Sequence, residues 1–140
     1  EIEAAMAAVG AGRLVGAVPG GLAGYVDEEG RNLSAPERQL VALARAWLLD
    51  PDVLVLDEAT SALDADAERR VLDAVRGSSR TTVFVTHRES VAEHADVVVV
   101  VDGGQVQATG RHADLLAEEW YRGLWPVRSR ARRSRKLVAR

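Results

Sequence analysis

Three short apolar runs, separated by segments with helical periodicity, constrain the fold of this chain more than any other feature. The runs lie within predicted strands at 53–56, 81–86 and 96–101, and helical patterns occupy 64–76 and 89–94 between them. Strands that alternate with helices predict an α/β fold with a parallel sheet and flanking helices. Because the run at 53–56 is apolar at every position, we expect this strand to be buried on both faces.

The segments before and after these strands also have recognisable patterns. Residues 1–9 are helical in character, and the glycine-rich stretch 10–30 is typical of turns between short helices. Ser34 has the properties of an N-cap for a helix that ends before Asp50. A hairpin at 102–104 leads into a strand at 105–108, and a helix is expected at 111–119. The predicted parts are therefore a helical portion at 1–50, a sheet-containing core at 51–119 and a flexible tail at 120–140.

Composition excludes several kinds of site. The 140 residues include no cysteine, which excludes disulfides, thiolate catalysis and cysteine-ligated metal sites. The single lysine, Lys136, is followed by Leu137, so the phosphate-loop motif G-x-x-x-x-G-K-[ST] does not occur in this chain. No apolar run is long enough for a membrane-spanning helix.

Charge is distributed very unevenly. All 21 acidic residues but only 10 of the 18 basic ones precede residue 120, so the last 21 residues carry a formal charge of +8. Such a tail is compatible with binding to nucleic acid or to anionic lipid headgroups. It is equally compatible with a solvated, disordered terminus.

Three side chains that follow predicted strands are candidates for chemistry. Asp57 and Glu58 end one apolar run, and His87 follows the next, so all three are expected at the carboxyl edge of a parallel sheet, where ligands bind. Adjacent acids there suit phosphoryl transfer, with one carboxylate at Mg²⁺ through water and the other accepting a proton. Taken singly, the two acids are also explained as residues of the turn that follows the strand. The histidine alone is also explained as a surface residue.

Other polar residues carry weaker signals. Ser34 at a helix N-terminus is attractive to phosphate, but an ordinary N-cap explains it equally well. His94 and His112 align with no other candidate residue, and we interpret both as surface residues.

Three segments occur together and in a fixed order, and their combination resembles a known family. They are Asn32-Leu33-Ser34-Ala35-Pro36-Glu37-Arg38-Gln39, Leu54-Val55-Leu56-Asp57-Glu58-Ala59-Thr60-Ser61-Ala62-Leu63-Asp64 and Val85-Thr86-His87. The set closely resembles the C-terminal part of the nucleotide-binding domain of ATP-binding cassette (ABC) transporters, over residues 1–119. The segment 25–30 is similar to the loop that precedes the signature in exporters. The implied fold is an incomplete P-loop-NTPase-like sheet with part of the helical subdomain.

The resemblance implies a role for each matching residue. Asp57 corresponds to the Walker B aspartate at Mg²⁺, Glu58 to the catalytic base and His87 to the switch histidine near the γ-phosphate. The D-loop of the family, which crosses the dimer interface, corresponds to Ser61, Ala62, Leu63 and Asp64. The signature, which contacts ATP on the opposite subunit, corresponds to Leu33, Ser34, Ala35, Pro36 and Glu37.

The chain departs from the family pattern in two ways. The phosphate loop and the adenine-stacking aromatic residue lie upstream of Glu1 in the family, which implies that this chain alone does not hydrolyse ATP. Ala35 and Pro36 replace both signature glycines, and proline has no backbone N–H to donate. This loss predicts slower turnover at the partner's nucleotide and favours a heterodimer, unless Pro36 is simply a tolerated first-turn residue.

The leading interpretation is therefore part of an exporter's ATPase domain. The resemblance implies ATP and Mg²⁺ as ligands, a second nucleotide-binding domain and a transmembrane domain as partners, and a location at the cytoplasmic face of the membrane. No nucleic acid is expected. Two alternatives stay open from the sequence: an ABC-type ATPase associated with nucleic acid, as in chromosome maintenance, and a non-catalytic module that docks on another subunit.

Overall fold

The fold consists of two compact units, seen in a computed structural model that describes residues 1–125 and the backbone of residues 136–139. The helical unit comprises 1–52 and 59–80, and the sheet unit comprises 53–58 and the described residues from 81 onward. The segment 59–80 thus clusters with the helical unit. The division of the chain at residues 50 and 119 stays a prediction.

The helical unit contains four α-helices and one short 3₁₀ turn at Gly21–Ala23. The α-helices are α1 (Ile2–Ala8), α2 (Gly12–Ala17), α3 (Ala35–Leu48) and α4 (Ala65–Arg76), with α1 packed against both α2 and α3. The predicted helical segments at 1–9, after Ser34 and at 64–76 are confirmed. At the far end of α3 the Arg80 guanidinium lies 4.1 Å from the centre of the Trp47 ring and pairs with Asp50.

The sheet unit contains five strands and three short helices. In chain order they are β1 (Val53–Asp57), β2 (Thr81–Thr86), α5 (Glu89–His94), β3 (Val98–Asp102), β4 (Gln105–Gly110), α6 (His112–Leu115), α7 (Glu119–Arg122) and β5 (Lys136–Ala139). The strand order is β1-β2-β5-β3-β4. The β1–β2 pair is parallel, as predicted, with Val53 opposite Thr81 and Asp57 opposite Val85.

The other strand pairs are antiparallel. The hairpin from β3 to β4 was expected from the glycines at 103 and 104. The position of β5 was not expected, because this strand pairs with both β2 and β3 from within the segment predicted to be a flexible tail. The arginine run at 128–135 lies outside the described residues.

Two further expectations are wrong in detail. Burial alternates along β1, with Leu54 and Leu56 buried and Val53 and Val55 exposed by 56% and 63%, so the strand is covered on one face and not on both. The helix expected at 111–119 is shorter, because α6 ends at Leu115 and a separate helix begins at Glu119.

Aromatic and aliphatic side chains form the core of the sheet unit. Tyr121 is fully buried and Trp125 nearly so, and both pack with Ala92, Val98 and Val100. The ring centres of Tyr121 and Trp125 lie 5.4 Å apart in an edge-to-face arrangement, a geometry favoured by the ring quadrupoles. Among the described residues, no helix has the length and apolar character needed to cross a bilayer.

Candidate active site at the carboxyl edge of β1 and β2

Asp57 and Glu58 are placed by the end of strand β1. The buried side chains of Leu54 and Leu56 anchor the strand, so Asp57, the last strand residue, is exposed at the sheet edge. Glu58 has a left-handed backbone with φ of +48°, a conformation that is uncommon for a residue with a side chain. Its backbone N–H donates to the Val85 carbonyl oxygen at 2.8 Å, which fixes the turn against β2.

His87 is placed by the end of strand β2. The Thr86 side chain is buried, and its hydroxyl oxygen accepts a hydrogen bond from the Arg88 backbone N–H at 3.0 Å. This local turn holds His87 beside the end of β1. Its Nδ1 lies 3.8 Å from Oε1 of Glu58, and the two side chains are 59% and 46% exposed. The carboxylate and the imidazole therefore share one edge of the sheet and remain open to a ligand.

The acids at this edge suit a hydrated magnesium ion. Mg²⁺ is usually bound through one or two carboxylates, with water and substrate phosphates completing its six oxygen ligands. Asp57 is exposed and makes no ion pair within the part of the chain that the structure describes. One accessible carboxylate at a strand end therefore fits this requirement.

The predicted signature segment lies at the N-terminus of α3. Leu33 is buried, and Ser34 and Glu37 form a capping box in which the Ser34 backbone N–H donates to Glu37 Oε2 at 2.6 Å. Hydrogen bonds from the side chain and backbone of Ser34 lower the pKa of Glu37 below its usual value. The Ser34 side chain in turn accepts from the Glu37 backbone N–H.

This cap leaves few donors for an anion. Ala35 and Pro36 are the first two residues of α3, and Pro36 has no N–H. The N–H of Glu37 is occupied by the Ser34 side chain. The backbone N–H of Ala35 is thus the remaining donor at positions 35–37. These hydrogen bonds are those of an ordinary, well-capped helix. The weakened signature stays a prediction.

The predicted D-loop is held by Gln39, a residue without a role among the predicted site residues. Gln39, on α3, donates through Nε2 to the Ser61 hydroxyl oxygen at 3.0 Å and accepts from the Ala62 backbone N–H at 3.0 Å. Leu63 is buried, and Asp64 caps α4 by accepting from the Ala67 N–H at 2.7 Å. Gln39 was visible only as part of the motif, since a glutamine on a helix gives no separate signal.

Comparison with known proteins supports the resemblance. The protein-family model described as ABC transporter matches residues 3–61 of this chain. An ATP-dependent lipid A-core flippase of Thiobacillus denitrificans is 46% identical over 121 residues, which are 85% of this chain and 21% of the flippase. A multidrug efflux ATP-binding/permease protein of Mycobacterium bovis is 45% identical over 133 residues, which are 93% of this chain and 11% of that protein.

A solved structure agrees with these sequence matches. A bacterial Atm1-family ABC exporter with ATP bound superposes with a TM-score of 0.82 and 35% identity, covering 89% of this chain and 22% of the exporter chain. The fold and its sheet edge thus define a portion of an ABC-type ATP-binding domain. The sequence and the fold of this chain thus match those of ABC transporters. It spans about a fifth or less of the length of the curated relatives it matches.

Proposed function

We propose that this chain is part of the ATP-binding domain of an ABC exporter, in which ATP binding and hydrolysis at a dimer interface drive transport across a membrane. Support comes from its similarity to a lipid A-core flippase, a multidrug efflux protein and an Atm1-family exporter. The nucleic-acid-associated alternative is not favoured, because these relatives are exporters.

Glu58 acts in this proposal as the base that takes a proton from the attacking water. Its carboxylate is 46% exposed at the sheet edge and 3.8 Å from the His87 imidazole. His87 contacts the terminal phosphate and helps to orient Glu58, while Asp57 holds Mg²⁺ through water. When bound, Mg²⁺ neutralises charge on the phosphate oxygens.

The chain supplies only part of such a site. It has no G-x-x-x-x-G-K-[ST] sequence to hold the phosphates of the same nucleotide. A polypeptide carrying that loop must complete the site, and the Ser34 segment serves ATP held by a second ATP-binding domain. The D-loop residues 61–64 lie at the same interface. Ala35 and Pro36 weaken the partner's site, which makes a heterodimer the preferred assembly.

A transmembrane domain is the second partner in this proposal. The relatives are membrane exporters, and none of the described helices of this chain spans a bilayer. In this proposal the chain lies at the cytoplasmic face of the membrane, where ATP is available.

The observation that carries the proposal is the approach of Glu58 to His87 at the carboxyl edge of β1 and β2. The test is ATP turnover by a reconstituted transporter that contains this chain, comparing wild type with Glu58→Gln and with the control Glu119→Gln. We expect Glu58→Gln to bind ATP but to lose at least about 100-fold in turnover, as for removal of a general base. Equal turnover in Glu58→Gln and Glu119→Gln would refute the role of Glu58.

A further inference from the structure

A second cluster of ionisable side chains lies in the sheet unit and shares no residue with the edge formed by Asp57, Glu58 and His87. It consists of Glu89 and Glu93 on α5 and His112 at the start of α6. One carboxylate oxygen from each glutamate and one ring nitrogen of His112 all lie within 4.8 Å of one another. Three potential metal ligands from two helices therefore converge on one point.

The backbone explains how the two glutamates meet. Glu89 and Glu93 are four residues apart on one helix, a spacing that places side chains on the same face one turn apart. Both are exposed, and neither makes an ion pair within the described residues. Two carboxylates this close repel each other, so a cation bound between them would stabilise the arrangement.

His112 is the feature that distinguishes this cluster from an ordinary acidic surface. The residue is only 8% exposed, contrary to the surface position expected from the sequence. Its Nδ1 lies 2.9 Å from the Tyr121 hydroxyl oxygen, and its ring packs edge-on against Tyr121 and Trp125. No hydrogen bond to its other ring nitrogen, Nε2, occurs among the described residues.

Tyr121 gives His112 the support that metal-binding histidines require. In metal sites the second ring nitrogen is normally hydrogen-bonded to a protein group that fixes the orientation and tautomer of the imidazole. Tyr121 is fully buried in the core, so its hydroxyl group is a rigid partner.

We propose that Glu89, Glu93 and His112 form a binding site for a divalent transition-metal ion, for which zinc is the best match. One imidazole nitrogen with two carboxylate oxygens is a donor set that zinc accepts in proteins, whereas magnesium and calcium prefer oxygen ligands alone. Three protein ligands leave a position for water or an external group. The site stands independently of the proposed ATPase function.

Isothermal titration calorimetry of the full chain with zinc chloride tests this proposal. We expect one zinc ion to bind per chain and magnesium chloride to give no binding at this site. Glu89→Gln and Glu93→Gln should each weaken zinc binding at least about tenfold, while Glu118→Gln, which removes the same charge from an exposed position nearby, should not. Circular dichroism of each variant verifies that the fold is retained.

Two further measurements identify the ligands directly. Zinc should shift the imidazole ¹⁵N resonances of His112 but not those of His87 or His94. Tyr121→Phe keeps the ring and removes the hydroxyl group, and it should weaken zinc binding by about 10- to 100-fold as loss of an outer partner. Absence of zinc binding, equal binding by Glu93→Gln and Glu118→Gln, or shifts confined to His87 or His94 would overturn the proposal.

Discussion

Gln39 bridges two neighbouring groups of the predicted D-loop through the two ends of its side-chain amide. Its Nε2 donates to the Ser61 hydroxyl oxygen, and its Oε1 accepts from the Ala62 backbone N–H, each at 3.0 Å. One side chain of α3 therefore sets the conformation of the loop that joins β1 to α4. In the proposed dimer, this contact ties the signature helix to the loop at the subunit interface.

Replacing Gln39 should release this loop. We expect Gln39→Ala to speed hydrogen exchange of the Ala62 amide about tenfold, because a lost hydrogen bond of about 1 to 1.5 kcal/mol corresponds to that change in opening. Exchange measured by NMR or mass spectrometry gives the rate. Arg45→Ala, an exposed substitution on the same helix, is the control, and similar exchange of Ala62 in both variants would contradict the bridging role.

Restoring a backbone donor near Ser34 should raise turnover at the partner's nucleotide. Pro36→Ala adds an N–H at the second position of α3, and one hydrogen bond to a charged group is worth about 1.5 to 3 kcal/mol. ATP turnover by the reconstituted transporter should then rise by about 10- to 100-fold at that site. Pro36→Gly should act in the same direction but also weaken the helix.

The control for this prediction is Ala35→Gly. It restores the other signature glycine without adding an N–H, so it should leave turnover nearly unchanged. If Pro36→Ala and Ala35→Gly have the same effect, flexibility of the segment and not the missing donor limits the site.

The capping box of α3 should make stability depend on pH. Hydrogen bonds from Ser34 lower the pKa of Glu37 from 4.5, so the charged carboxylate stabilises the folded state at pH values above 4.5. That contribution is lost as the pH falls through the lower pKa of the folded state. Urea unfolding should show that Glu37→Gln is less stable than wild type at neutral pH and that the difference shrinks below pH 4.5.

Glu28→Gln provides the matched control, since it removes an exposed carboxylate in the same unit that makes no ion pair within the described residues. Its stability relative to wild type should vary little over this pH range. If the difference in stability between Glu37→Gln and wild type stays constant down to pH 3, the charge of the Glu37 carboxylate does not contribute to the cap.

Much of the local structure follows from the sequence. The helix after Ser34 begins where this capping residue predicts, because an N-cap acts within one turn of its own position. The helical pattern at 64–76 likewise predicts α4. The shared edge of Glu58 and His87 also follows, because parallel strands end on the same side of a sheet. The helix starts depend on short-range rules, and the shared edge follows from the alternation of strands and helices along the chain.

The features that the sequence does not reveal depend on contacts between distant segments. The run at 53–56 is uniformly apolar, yet Val53 and Val55 are exposed, since burial of a strand depends on what covers each face. The insertion of β5 between β2 and β3 depends on pairing with segments far away in the chain. His112 is buried only because Tyr121 and Trp125 pack around it, and no local pattern encodes that contact.

The central claim is that Glu58 and His87 act together on one phosphoryl transfer. A double-mutant cycle with Glu58→Gln, His87→Ala and the combined variant, read as single-turnover ATP hydrolysis in the reconstituted transporter, tests it most directly. If the two side chains act as a unit, the combined variant will be about as slow as Glu58→Gln alone. Losses that simply multiply would show that the two residues work independently and would contradict the assignment of this sheet edge as a joint catalytic site.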